Sequence, residues 1–89
     1  MSATIRLPRM LADAANVETR HQVEGDTVSS AFDSLFRAKP GLRNHVLDEK
    51  GAIRPHVSVF VSGSQSDLDA AVPDGAEIRV INAVSGGLS

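Results

Sequence analysis

The sequence predicts a two-layer α+β domain, with one helix laid across a small mixed sheet. Two short segments near the N-terminus, residues 4–7 and 17–23, alternate polar and apolar side chains. A stripe of apolar residues at helical spacing follows between positions 28 and 36. Two further strand-like segments, residues 57–61 and 77–84, complete the order strand, strand, helix, strand, strand. A length of 89 residues leaves room for one domain with a small core.

Each element has its own justification. Thr4-Ile5-Arg6-Leu7 alternates as a half-buried strand does. Pro8 closes it, because proline has no N–H to give to a ladder. Residues 10–16 show no clear period and are expected as a loop. In residues 17–23, Val17, Thr19, His21 and Val23 fall on one face, and Glu18, Arg20 and Gln22 on the other. Gly25-Asp26-Thr27 then announces the helix, since Asp26 or Thr27 can offer a side-chain oxygen to the orphan N–H groups of a first turn. Val28, Ala31, Phe32, Leu35 and Phe36 form the i, i+3, i+4, i+7, i+8 stripe of a helix docked on a sheet. Pro40-Gly41 ends it.

Residues 42–47 are expected to add one short helical turn, and Asp48-Glu49-Lys50-Gly51 a polar turn. Val57, Val59 and Val61 alternate with Ser58 and Phe60 in the third strand, and Gly63-Ser64 turns the chain. Residues 66–72 are weakly patterned, with Leu68 expected to plug the core. Pro73-Asp74-Gly75 is a turn signal, because Pro presets φ and Gly accepts positive φ. In the last strand Ile78 and Val80 share one face, and Arg79 and Ile81 the other. Placing the first and last strands side by side in the middle of the sheet makes residues 1–84 a β-grasp. It has four to five strands and one main helix packed across them. Residues 85–89 are expected as a flexible C-terminal tail.

Composition narrows the function classes. The net charge is −2 and no two Lys or Arg residues are adjacent. With no Trp or Tyr to stack on bases, nucleic-acid binding is not expected. The absence of cysteine removes disulfides, thiolate metal sites and a cysteine nucleophile. His21, His45 and His56 are widely separated, with no i, i+4 pair, so no metal site or acid–base centre is expected. There is no P-loop and no GxGxxG. The first residues lack the apolar core of a signal peptide, and no apolar stretch approaches the ~20 residues that span a bilayer. A cytoplasmic location is the expectation.

Two features remain. Val84-Ser85-Gly86-Gly87 follows the last strand directly. Paired glycines have no Cβ atoms and can thread a narrow channel, bringing a carbonyl close to a reactive group on another protein. A simple Gly/Ser end with no role is the alternative. The second feature is Phe60, out of phase with Val57, Val59 and Val61, and Ile81, out of phase with Ile78 and Val80. Two large apolar side chains on the outer face of a small sheet suggest a docking patch. Isolated exposed apolar residues, or a flipped register with Phe60 inward, are the alternatives.

These motifs resemble the MoaD/ThiS family of ubiquitin-like sulfur carriers. Ile53-Arg54-Pro55-His56-Val57-Ser58-Val59-Phe60-Val61-Ser62-Gly63 looks like the family's central strand and turn, where Asn-Gly is common in place of Ser62-Gly63. Val72-Pro73-Asp74-Gly75-Ala76-Glu77-Ile78 looks like its turn into the last strand. Asn82-Ala83-Val84-Ser85-Gly86-Gly87 looks like its Pro-Pro-Val-x-Gly-Gly end.

The resemblance implies a protein co-substrate rather than an enzyme. It implies that Gly87 carries a thiocarboxylate, that Gly86 gives the tail clearance, and that Phe60, Ile81, Val84 and Ser85 meet the partner. It implies a ubiquitin-activating-enzyme-like adenylyltransferase, which uses ATP and a sulfur donor, and an acceptor synthase. The chain binds no cofactor itself on this reading. Leu88-Ser89 follow the second glycine, so the Gly87 carbonyl is held in a peptide bond. By resemblance to extended family members, a JAMM-type zinc metalloprotease removes the two residues at the Gly87–Leu88 bond. The extension and the missing double proline weigh against a molybdopterin role. A protein modifier joined to lysine amines, or a β-grasp interaction module with an inert tail, are the other readings the same residues allow.

Overall fold

The computed structural model describes residues 1–82 of the chain. Five strands form one mixed sheet in the order β2-β1-β5-β3-β4. They are β1 (Ser2–Arg6), β2 (Arg20–Glu24), β3 (Val57–Val61), β4 (Ser64–Gln65) and β5 (Ala76–Asn82). β1 and β5 run parallel and side by side, and the other pairs are antiparallel. The helices are α1 (Arg9–Ala15), α2 (Val28–Ala38) and α3 (Arg43–Val46), with a 3-10 turn at Pro40–Leu42 before α3. This is the expected β-grasp.

The core lies between one face of the sheet and α2. Ile5, Val59, Ile78 and Val80 come from the strands, and Val28, Ala31, Phe32, Leu35 and Phe36 from the helix, all buried. Phe32 and Phe36 stack with ring centroids 5.5 Å apart. The five helical residues are the stripe read from the sequence. Leu42, Val46 and Leu47 close one end of the core, and Leu68 packs half-buried against it.

The start of α2 is satisfied by both routes a helix has. Thr27 is the cap: its Oγ1 accepts from the Ser30 N–H at 3.1 Å, and the Ser30 Oγ accepts from the Thr27 N–H at 3.0 Å. The two remaining first-turn donors reach the weakly patterned segment before β5. Val28 N–H donates to the Ala70 carbonyl at 3.0 Å and Ser29 N–H to that of Leu68 at 2.8 Å. Gly25 sits hard against this cap. A Cβ there would come within 2.5 Å of the Ala31 backbone nitrogen.

Three local expectations need correction. Residues 10–16 are not a loop, because α1 occupies Arg9–Ala15. Leu11 and Ala12 are buried and Ala15 half-buried, a one-sided pattern too short to show a period. β2 begins at Arg20 rather than Val17. Asn16 ends α1 in the left-handed conformation (φ 59°), and the Val17 N–H still bonds to the Ala12 carbonyl at 2.9 Å, so this stretch belongs to the helix exit. Val17 and Val23 keep their inward face while Thr19 is exposed. The third turn is Ser62-Gly63, with Ser64 already in β4. Both turn residues have positive φ, 50° and 90°. That is the type I′ hairpin, whose twist matches the strands and which favours Asn-Gly.

Candidate functional site

β1, β2, β3 and β5 each turn one face to the core and one to solvent, while both residues of β4 are exposed. On the solvent face β5 presents Glu77, Arg79 and Ile81, and β3 presents Ser58 and Phe60. Phe60 pairs with Arg79 and Ser58 with Ile81, so Phe60 and Ile81 are diagonal neighbours on one face. The alternation read from the sequence therefore places both as expected. Ile81 is 40% exposed, and Phe60 is half-buried. With Gly63, Glu77 and Arg79 they line a shallow hollow of about 370 Å³.

A second hollow, about 330 Å³, lies beside it and shares Arg79 and Ile81. Arg6, Leu7, Pro8, Val80 and Asn82 complete its lining. Asn82 also borders a groove on the helical side with Met10, Ala14, His45, Arg54 and His56. The end of β5, from which the Gly-Gly segment departs, is thus bordered by hollows on both sides of the sheet. The Arg54 Nε–H donates to the Asn44 carbonyl at 2.7 Å, which fixes that side chain in its groove. Val84, Ser85, Gly86, Gly87 and Leu88 lie outside the described residues.

The electrostatics of the outer face centre on Glu77. Its carboxylate meets Arg6 at 3.5 Å and Arg79 at 3.9 Å, all three half-exposed. Such surface pairs contribute at most about 1 kcal/mol each, and their value here is to orient the guanidinium groups. Arg6 and Arg79 stand beside each other across the parallel pair, and Arg20 stands opposite Arg6. Sequence alternation puts each of these arginines outward, but only the register brings them into line.

At the other end of β5, Asp74 ties down the first residue of β1. Its Oδ1 accepts from the Ser2 N–H at 2.9 Å. That bond, reinforced by the Ser2 hydroxyl and the N-terminal charge, holds the carboxyl below its ordinary value, outweighing slight desolvation. Its role is to anchor the strand beside β5.

No protein-family model matches the sequence, and no curated protein matches it by sequence alone. The comparison of folds is decisive. SAMP1 from Haloferax volcanii, a small archaeal modifier protein, superposes with a TM-score of 0.86 at 31% identity, over 98% of this chain and 100% of that one. The chain belongs to the MoaD/ThiS family of ubiquitin-like sulfur carriers. The same fold is found in the BexX/CysO complex from Amycolatopsis orientalis, with a TM-score of 0.84 at 24% identity, covering 96% of this chain and 99% of that one. CysO from Mycobacterium tuberculosis matches with a TM-score of 0.81 at 20% identity, over 92% of this chain and 99% of that one. At those identities the likeness is one of fold. Among the described residues, no helix is long and apolar enough to cross a membrane.

Proposed function

We propose that the chain is a sulfur carrier whose working group is the carboxyl of Gly87. The supporting observation is a β-grasp domain whose central strand, β5, leads within five residues to Gly86-Gly87. Hydrolysis of the Gly87–Leu88 peptide bond by a JAMM-type zinc metalloprotease consumes one water and leaves a free carboxylate. A carboxylate is a poor electrophile, since its charge is delocalised and oxide is a poor leaving group. A ubiquitin-activating-enzyme-like adenylyltransferase therefore joins it to the α-phosphate of ATP and releases pyrophosphate. A sulfur nucleophile then displaces AMP from the acyl-adenylate, leaving a thiocarboxylate. The sulfur is a stronger nucleophile than the oxygen it replaced, and it passes to a biosynthetic intermediate held by an acceptor synthase, making a sulfur-containing metabolite or amino acid.

On this reading Phe60 and Ile81 dock the partner beside the root of the tail, while Val84 and Ser85 lead the glycines into the partner's site. Gly86 gives them clearance there. That the CysO of Amycolatopsis orientalis was crystallised with BexX agrees with a domain that works in complexes.

Intact mass spectrometry tests the chemistry. In cell extract with ATP and sulfide, the chain is expected to lose one Leu and one Ser residue and then exchange one oxygen for one sulfur. Deleting Gly87 is expected to abolish the exchange and leave the folded domain unchanged by circular dichroism. An unchanged mass, in an extract that processes a control carrier, refutes the reading. The likeness to SAMP1, a modifier protein, favours a second use of the same activated end, attack by lysine amines of other proteins. A ladder of high-mass conjugates that disappears with Gly87 would identify it.

A further inference from the structure

The groove on the helical side of the sheet has a lining that the sulfur chemistry does not use. Its volume is about 330 Å³, enough for a small molecule. Its hydrogen-bond donors come from three separate parts of the chain. His45 lies on α3, Arg54 and His56 on the segment leading into β3, and Asn82 at the end of β5. No Asp or Glu is in the lining, although the chain as a whole carries a charge of −2. α1 adds apolar surface through Met10 and Ala14, and Met10 is 58% exposed.

Arg54 is fastened to α3 at two points. Its backbone N–H donates to the Val46 carbonyl at 3.0 Å and its Nε–H to the Asn44 carbonyl at 2.7 Å. The terminal Nη–H groups have no partner among the described residues. The ring of His21 bonds to the Glu18 carbonyl at 2.6 Å, whereas His45 and His56 make no hydrogen bond among the described residues. Holding α3 in place uses only the Nε–H of Arg54. The end of the guanidinium and two imidazoles are left as donors around one groove.

We propose that this groove binds a small organic acid, a phosphate or carboxylate group on an apolar body. The end of the Arg54 guanidinium meets two oxygens of such a group through parallel hydrogen bonds. His45, His56 and the Asn82 amide supply further N–H donors. Met10, unbranched and polarisable, covers the apolar body. Two imidazoles and a thioether would otherwise suit a soft metal ion, but the permanent charge of Arg54 repels a cation. The inference goes beyond the carrier reading and stands without it, because the whole groove lies within the described domain. A bound acid would sit beside Asn82, on the side of the sheet away from the Phe60–Ile81 hollow.

The test is an NMR titration of the full chain at constant ionic strength. The probes are phenyl phosphate, benzoate, inorganic phosphate and benzyl alcohol. Phenyl phosphate is expected to give saturable shifts at the Arg54 Nε–H, the Asn82 amide and the Met10 methyl, with a Kd of about 1–5 mM. Benzyl alcohol, which lacks the charge, should not saturate. Binding of phenyl phosphate alone would make the ligand a phosphate ester, and equal binding of benzoate would admit carboxylates; both outcomes support the site. Arg54→Gln should raise the Kd about ten-fold or more. Because that change also touches α3, His56→Ala provides an independent loss at an exposed position, expected to weaken both phosphate probes with the melting temperature unchanged. Met10→Ala should weaken phenyl phosphate and leave inorganic phosphate as it was. Arg37→Gln, on the exposed side of α2, should match wild type. Shifts that never saturate, that spread equally over Arg6, Arg20 and Arg79, or that persist in both Arg54→Gln and His56→Ala would overturn the inference. Each of those results would leave the sulfur exchange at Gly87 untouched, since that reaction is read by mass.

Discussion

Truncation of Ile81 to Ala separates what the outer face does for the fold from what it does for a partner. Full burial of an Ile side chain is worth about 1.5–3 kcal/mol. Ile81 is 40% exposed, so the remaining three-fifths of that burial is already realised within the domain. The isolated variant should therefore lose about 1–2 kcal/mol. A domain of this length has about 4–13 kcal/mol in total, so it stays folded. The exposed two-fifths is what a partner can still cover, about 0.6–1.2 kcal/mol, or a three- to eight-fold rise in Kd for the adenylating enzyme. Urea melts measure the first quantity and titration calorimetry the second. The binding loss should be indifferent to salt, because no charge is removed. A Kd unchanged by Ile81→Ala, with the expected loss of stability, would show that the partner does not cover this side chain.

Two further outcomes are expected. Thr27→Ala removes the side-chain acceptor for Ser30 N–H and should cost about 1 kcal/mol, a fall of about 4–8 °C in melting temperature. Unchanged melting would mean that water replaces the cap without loss. For Asp74 the sign follows from its lowered pKa: the carboxylate's bond to Ser2 contributes stability above the ordinary value of 3.8 and loses it as pH falls below. Asp74→Asn should therefore flatten the acid limb of the melting-temperature profile, and an identical acid limb in both proteins would count against this assignment.

The parts of the fold legible in the sequence are those where one physical pattern dominates a long enough segment. The stripe from Val28 to Phe36 and the alternation of Val57, Val59 and Val61 were both readable, and both lie in the core. α1 escaped because its seven residues bury only Leu11 and Ala12, and Pro8 reads equally well as the end of a strand and the threshold of a helix. The turn at Ser62-Gly63 was displaced by one residue because Ser gives no sign that it will take positive φ. Phase alone placed Phe60 and Ile81 on the outer face. Their proximity to each other, and the line of Arg20, Arg6 and Arg79, depend on which strands are neighbours and in what register. That information comes from residues far apart in the chain, so a local pattern does not carry it.

The parallel pairing of β1 with β5 has a mechanical consequence. β1 starts at Ser2 and β5 ends at Asn82, at opposite ends of two adjacent strands. Tension applied between the ends loads their hydrogen bonds in shear, all together, instead of peeling them one by one as a hairpin would open. β3 grips the other edge of β5 and shares that load. A pull along β5 is therefore resisted from both sides of the strand at once, by β1 and by β3.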